Sequence, residues 1–155
     1  GTDVDVVLDL MIHDLDLVLS FNPGPVEEVR AAGVPVLSSN IDIANARIAF
    51  AGGCVANLTA SRVSTNKMRR LRVFQRDRYV SIDVEPFQAG DEEPLRLEVD
   101  SFLQAVTTGS RPVVSGEDGE AALTLAGLVL EAIGQFTQRH RAGVAPESVP
   151  GQKNG

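Results

Sequence analysis

The segment DVVLDLMIHDLDLVLSF, at residues 5–21, is very apolar, yet it carries regularly spaced polar side chains. On a helix with about 100° per residue these fall within an arc of roughly 80°; they are Asp5, Asp9, His13, Asp16 and Ser20. Surface helices usually show the reverse pattern, an apolar stripe on a polar cylinder. We therefore predict a helix over residues 5–20 that is buried on most sides and turns one polar edge toward a cleft.

Antiparallel strands are predicted to follow this helix, which the NPGP sequence at residues 22–25 should end. A short strand around residues 28–32 is expected to break at Gly33, with a second extended piece that Pro35 confines to an edge. A hairpin should turn at Gly52 and Gly53, and LRVFQRDRYVSIDV at residues 71–84 predicts another. The first part of the chain is thus one helix and four or five strands.

Two helices are predicted to complete the chain. The first should end at Gly109, and the second should begin after Ser115, with Asp118 three residues later as a near capping box. Strands and helices do not alternate, so the predicted class is α+β, an open, mainly antiparallel β-sheet with helices packed on one face. We expect one domain over residues 1–141 and a polar, flexible tail over residues 142–155.

Charge and hydropathy limit the partners. The 155 residues carry a formal charge of −7, which argues against nucleic acid or an anionic membrane as the main partner. No apolar run approaches the roughly 20 residues that span a bilayer. The basic cluster at residues 67–78 is the local exception. It is either the solvated face and turn of a strand pair or a patch for phosphate or an acidic partner.

The single cysteine, Cys54, excludes an internal disulfide and predicts a reducing, cytoplasmic location, where it would serve as a small core residue. The chain opens GTDVDVVLDL, without the basic region of a signal peptide and without an initiator methionine. We interpret it as a chain whose front has been removed.

The polar edge of the first helix leaves three interpretations open. Asp9 and His13 are four residues apart and Asp16 follows three later, so their side chains could address one point. His13 could transfer protons with its ring oriented by a carboxylate. The trio could bind a metal, although no second histidine or cysteine stands nearby, and we predict none. Finally, His13 could simply bond to a neighbouring strand.

These residues carry a resemblance to a known family. The pattern Asp9-x-x-x-His13-x-x-Asp16 is followed by DIANARIAFAGGCVANLTASRVS and then by EPLRLEVDSFLQAVTTGSRPVVSGEDGEAALTLA. In this order they resemble the C-terminal domain of the glucose-fructose oxidoreductase, inositol dehydrogenase and MocA (Gfo/Idh/MocA) family. The DLMIHD and GCVANLTASR sequences are most similar to members that act on nucleotide sugars.

The resemblance implies a two-domain enzyme. A Rossmann domain would bind NAD or NADP, and the α+β domain would face the substrate and form homo-oligomers through its sheet. His13 matches the active-site histidine, a candidate acid or base at the sugar hydroxyl, and Asp9 matches the acid that helps to position substrate. Asp16 and Asp5 are expected to be substrate-facing or structural. Met11 replaces a glycine of many members and is expected to narrow the substrate space.

The cofactor-binding half of such an enzyme has no counterpart in this sequence. No G-x-G-x-x-G follows a strand, GEDG at residues 116–119 lacks that spacing, and no Glu-Lys-Pro motif supplies the lysine that works beside the histidine. We therefore expect no cofactor to bind this chain alone.

The predicted function is a truncated C-terminal domain of an NAD(P)-dependent oxidoreductase that converts a sugar or nucleotide-sugar hydroxyl to a ketone. The alternative is a stand-alone, non-catalytic binding or dimerisation module of the same fold. In either case Arg62, at a strand end, is expected to be a solvated or interface residue.

Overall fold

A computed structural model describes residues 3–63, 70–75, 78–83 and 94–143. The described residues up to Val63 and from Glu120 onward form one compact unit, and those between Ser64 and Gly119 form a second. Helices and antiparallel strands occupy separate stretches of the chain. The predicted α+β class is therefore confirmed.

The first helix begins with a π-helical turn, Val7–Met11, and continues as α1, Ile12–Ser20. Its fully buried face repeats every four residues, at Val7, Met11 and Leu15. Leu10 is 42% exposed, so the prediction of burial on most sides is wrong, and only one face packs against the core. Asn22, at a φ of 51°, ends the helix as predicted and donates its N–H to the Leu19 carbonyl.

Strands β1 (Val26–Val34), β2 (Ile43–Phe50) and β3 (Val55–Ser61) form an antiparallel sheet with β2 at its centre. Side chains alternate along β2, because successive residues of a strand point to opposite faces. The inner face is buried and the outer face carries exposed polar residues such as Asn45 and Arg47. The turn between β2 and β3 contains Gly53 at a φ of 81°, which confirms the first hairpin.

The predicted break at Gly33 is wrong, because β1 runs through it and pairs Gly33 with Ala44. A Cβ at Gly33 would lie 2.7 Å from Cγ2 of Ile41 and 3.1 Å from Cγ2 of Ile133. Glycine is thus required for close packing within the strand. Residues 36–40 form bends, so the second extended piece predicted after Gly33 is also absent.

The core of the first unit lies between the inner face of this sheet, the first helix and α3, Gly116–Gly143. Helix α3 contributes Leu125, Ala126, Val129 and Ile133 from one face. The sheet contributes many small side chains: Ala44, Ala46, Ala56 and Ala60. Small residues let the helices approach closely, while Phe50 and Ile48 fill the remaining volume, each contributing roughly 1.5–3 kcal/mol through burial.

The second unit contains a hairpin of β4 (Arg70–Gln75) and β5 (Arg78–Asp83), and helix α2, Pro94–Thr108. Phe74 and Tyr79 pair across this hairpin with ring centroids 4.9 Å apart. Gly109, at a φ of 67°, follows α2, as predicted. Among the described residues, the five strands thus form two sheets of three and two strands.

Parts of two predictions concern residues outside the described ones. Residues 67–69 and 76–77 of the basic cluster lie outside the described residues, so its two interpretations stay predictions. The tail from residue 144 lies outside them as well. In the described part of the chain, no helix is both long and apolar enough to cross a membrane.

Candidate active site

The ends of β2 and β3 place two charged residues beneath the first helix. Asp42 immediately precedes β2 and Arg62 immediately follows β3, and the Arg62 N–H donates to the Asp42 carbonyl at 3.0 Å. Each lies two residues from a buried alanine, Ala44 or Ala60, and therefore shares the inner face of the sheet with it. The alternation of the strands thus directs both side chains inward.

The start of the first helix is bound to the chain that enters β2. The Val6 N–H donates to the Ile41 carbonyl at 2.9 Å, and the Ile41 N–H donates to Oδ1 of Asp5 at 2.8 Å. Together these two hydrogen bonds tie the start of the helix to Ile41. Of the two roles predicted for Asp5, the structure shows a structural contact.

Asp9 lies in the π-helical turn and forms an ion pair with Arg62, whose Nη2 is 3.2 Å from Oδ2 of Asp9. The same Nη2 donates to the Val4 carbonyl. Only 10% of the Arg62 side chain is exposed, against 40% for Asp9. The expectation that Arg62 is solvated is therefore wrong. The alternation of β3 directs its side chain to the inner face, where it pairs with Asp9 and Asp42.

Asp42 is fully buried and is the second acid beside Arg62, with Oδ1 3.7 Å from Nη1. Its Oδ2 accepts the N–H groups of Val36, Leu37 and Ser38 at 2.7–2.9 Å. The Val36 bond is the largest influence that lowers the pKa of Asp42 to about 2, and the Leu37 and Ser38 bonds add to it against the opposing effect of burial. Asp42 is thus an anion that organises residues 36–38.

Sequence reasoning missed Asp42 entirely. Its only signal is an acid between two isoleucines, in NIDIA, at the start of an alternating strand. Alternation places Asp42 on the buried face, and a buried acid requires partners. The identity of those partners depends on the path of residues 36–40, which the pattern does not give.

His13 is exposed and lies one turn beyond the π-helical turn, on α1. No hydrogen-bond partner for its ring occurs within the described residues, so the interpretation that it bonds to a neighbouring strand has no support there. Asp16 is half-buried on the same helix. An accessible imidazole is the side chain best suited to exchange a proton with a bound hydroxyl near neutral pH.

The three predicted polar residues do not converge on a metal. Within residues 3–63, 70–75, 78–83 and 94–143, no three His, Cys, Asp or Glu side chains are placed to hold one ion. Asp9 instead faces Arg62. The arrangement therefore combines one anchored carboxylate with one free imidazole.

Two further expectations are wrong. Met11 is fully buried in the hydrophobic core, so it does not narrow a substrate space. Cys54 is exposed at the β2–β3 turn, where it follows the two turn glycines, and it is not a core residue. Met11 lies on the buried face that Val7 and Leu15 also form, and Cys54 lies in the turn before β3 rather than inside a strand.

The N-terminus of α3 does not fit the pyrophosphate of a dinucleotide. Such cofactors place their pyrophosphate on free N–H groups at a helix N-terminus. At the start of α3, Ser115 and Asp118 instead exchange hydrogen bonds as a capping box, the Ser115 N–H donating to Oδ2 of Asp118 at 2.8 Å. Hydrogen bonds from Ser115 lower the pKa values of Asp118 and Glu117, so both carboxylates add negative charge where pyrophosphate would bind.

Comparison with known families decides where this fold belongs. Residues 3–79 match the family model described as the GFO/IDH/MocA C-terminal domain. The UDP-N-acetylglucosamine 3-dehydrogenase of Acidithiobacillus ferrooxidans is 34% identical over 160 residues, a match that includes 88% of this chain and 51% of that protein. The chain belongs to the Gfo/Idh/MocA C-terminal domain family. The predicted resemblance is thereby confirmed.

Solved structures of Gfo/Idh/MocA-like proteins agree with this. The structure of GnnA, the same 3-dehydrogenase from Acidithiobacillus ferrooxidans, matches with a TM-score of 0.78 at 35% identity, covering 86% of this chain and 49% of that one. The WlbA dehydrogenase from Bordetella pertussis, in complex with NADH and UDP-GlcNAcA, gives a TM-score of 0.71 at 15% identity, covering 86% and 47%. This second likeness shows the fold alone. The chain spans about half the length of each relative.

Proposed function

We propose that this Gfo/Idh/MocA domain is the substrate-facing part of a dehydrogenase that oxidises a hydroxyl of a nucleotide sugar to a ketone. The observation that carries the proposal is the pairing, on one helix, of an exposed imidazole with a carboxylate anchored from the sheet. His13 is the imidazole and Asp9 the carboxylate. The name of the 34% identical relative, a nucleotide-sugar dehydrogenase, supports the same reaction class.

Each residue has a distinct role in this proposal. His13 accepts the proton of the reacting hydroxyl, since it is exposed and its ring has no hydrogen-bond partner among the described residues. Asp9 accepts a hydrogen bond from a substrate hydroxyl and so orients the sugar. Asp16, half-buried on the same helix, supports the helix or a second hydroxyl. NAD or NADP supplies the hydride acceptor, and it binds to a part of the whole protein other than the residues described above.

The proposed substrate is UDP-N-acetylglucosamine or a related nucleotide sugar. This rests on the 34% identical relative, which is named for that substrate. The net charge of the chain, −7, disfavours non-specific binding of a diphosphate, and the basic cluster at residues 67–78 is the local exception.

We further propose that the outer face of the three-stranded sheet forms a homo-oligomer in the cytoplasm. Exposed polar side chains on this face form hydrogen bonds between β2 and β3. Arg47 donates to Asn57 at 3.0 Å, and Thr59 donates to Asn45 at 2.8 Å. Such preordered groups suit a polar interface between two copies. Arg47→Glu should lower the mass of the oligomer measured by light scattering, and an unchanged mass would contradict this interface.

The test uses the whole protein that carries this chain, purified from its native cells. With UDP-N-acetylglucosamine and NAD or NADP, reduced cofactor should form, and His13→Ala should lower kcat by roughly 10²–10⁴-fold, as loss of a general base does. His140→Ala is the matched control, because His140 stacks on Phe136 at the far end of α3. Unchanged turnover in His13→Ala would reject the role of His13.

The native mass separates the two candidate functions. The dehydrogenase predicts a polypeptide of about twice 16.5 kDa, since the chain covers 51% of its dehydrogenase relative. A native polypeptide of 16.5 kDa without cofactor reduction would instead establish the binding or dimerisation module.

A further inference from the structure

Arg62 is buried at the sheet end without using its full capacity for hydrogen bonding. Its Nη2 bonds to Asp9 and to the Val4 carbonyl, whereas its buried Nε and Nη1 have no hydrogen-bond acceptor among the described residues. Buried donors without acceptors lower stability. An arginine placed only for stability would use these donors, so its position calls for a different explanation.

The charges around Arg62 explain how it is kept there. Asp42 lies on one side of the guanidinium, at 3.7 Å, and Asp9 on the other, at 3.2 Å. Asp42 is fully buried and is itself held by three backbone N–H groups. Asp42 therefore places a buried negative charge beside the guanidinium.

The carboxylate of Asp9 is held through only one of its oxygens. Arg62 binds Oδ2, and within the described residues Oδ1 has no partner, while 40% of the side chain is exposed. One oxygen is thus fixed from the interior and the other can accept a hydrogen bond from outside. His13 lies four residues further along the same helix.

From this geometry we propose that Arg62 is a positioning residue that acts through Asp9. It fixes the Asp9 carboxylate so that Oδ1 meets a substrate hydroxyl while His13 takes the proton. The inference rests on the proposed dehydrogenase function. It assigns Arg62 no contact with substrate.

The experiment is a double-mutant cycle in the whole protein that carries this chain, assayed with UDP-N-acetylglucosamine. Arg62→Met should lower kcat/KM on the order of 10–100-fold, because a small displacement of a positioning group is enough for such a loss. In an Asp9→Asn background the same substitution should have little further effect. Arg62→Lys, which keeps a charge that can reach Asp9, should recover part of kcat.

The control is Arg139→Met, on the exposed surface of α3, where Arg139 bonds only to Gln135 among the described residues. It should leave kcat and KM unchanged. If Arg62→Met lowers kcat/KM equally with and without Asp9, or not at all, the positioning role is overturned. If Arg62→Met fails to fold, the same cycle with Arg62→Lys decides.

A second readout separates this inference from the proposed function. Urea unfolding of the whole protein that carries this chain, with the same single and double variants, measures the coupling of Arg62 and Asp9 without any substrate. If the effects of the two substitutions on the urea midpoint are not additive, but the protein does not oxidise nucleotide sugars, the dehydrogenase function is refuted and the interaction of Arg62 with Asp9 is retained. If the effects of the two substitutions on the midpoint are additive, the interaction of Arg62 with Asp9 is refuted.

Discussion

Gly33 on β1 and Ile133 on α3 pack so closely that a methyl group added at Gly33 would have to displace the Ile133 side chain. A Cβ at Gly33 would lie 3.1 Å from Cγ2 and 3.2 Å from Cδ1 of Ile133, and 2.7 Å from Cγ2 of Ile41. The branched methyl groups of both isoleucines have little freedom to move away. This contact sets how closely α3 approaches the edge of the sheet.

Gly33→Ala should therefore destabilise the protein by about 1–3 kcal/mol, the usual cost of overpacking a filled core. The free energy of unfolding in urea measures it. Gly127→Ala is the matched control, because a Cβ there meets nothing within 4 Å on the exposed side of α3. That control should raise stability by roughly 0.5–1 kcal/mol, since alanine favours a helix more than glycine does. If Gly33→Ala and Gly127→Ala change the free energy of unfolding equally, the side chains around Gly33 move to accept a methyl group and the contact is not rigid.

Ser115 begins α3 by exchanging hydrogen bonds with Asp118, and its hydroxyl also accepts from Arg111 at 2.9 Å. Ser115→Ala should lower the free energy of unfolding by about 1 kcal/mol, as loss of an N-cap typically does. Ser115→Thr should recover most of this, because it keeps the hydroxyl. Ser110→Ala, at an exposed position, is the control. A stability loss in Ser110→Ala as large as that in Ser115→Ala would contradict a specific capping role.

Asp42 should make the protein sensitive to acid. Its pKa is lowered to about 2 from an ordinary value of 3.8, so the folded state favours the charged form. The stability that this adds is fully present above about pH 4 and is lost as pH falls through about 2. The difference in urea midpoint between wild type and Asp42→Asn should therefore shrink over that interval.

The control for Asp42 is Asp3→Asn, because Asp3 is exposed. Its urea midpoint should stay close to that of wild type at each pH. If the wild-type and Asp42→Asn midpoints differ by a constant amount between about pH 4 and pH 2, Asp42 is not the group that titrates.

Local chemistry was sufficient to predict several elements from the sequence. Gly53 and Gly109 adopt positive φ angles at the turn and helix end where the pattern places them, and Ser115 forms the expected cap with Asp118. Each depends on a few neighbouring residues and on conformational preferences that a single sequence carries.

Other features depend on residues that are distant in sequence. Gly33 looks like a strand break until Ile133, one hundred residues later, is packed against it. The burial of Arg62 depends on Asp9 in the first helix and on Asp42 at the start of β2. In the candidate site the sequence predicted His13 and Asp9. Strand alternation also places Asp42 and Arg62 on the inner face, whereas their contacts with each other and with the helix are given only by the assembled sheet.

Asp5 and Asp9 lie on the same polar edge, yet the structure gives them different partners. Asp5 accepts the Ile41 N–H at 2.8 Å and ties the helix to β2, whereas Asp9 pairs with Arg62 and stays partly exposed. Asp5→Ala should therefore lower the free energy of unfolding by about 1–3 kcal/mol, since it leaves a half-buried N–H without its acceptor. Asp5→Asn retains an acceptor oxygen and should be close to wild type. Asp9→Asn should instead lower kcat/KM, and some loss of stability should accompany it because Asp9 also pairs with Arg62. A loss of turnover in a folded Asp5→Asn protein, with its midpoint unchanged, would place Asp5 against the substrate rather than in the scaffold.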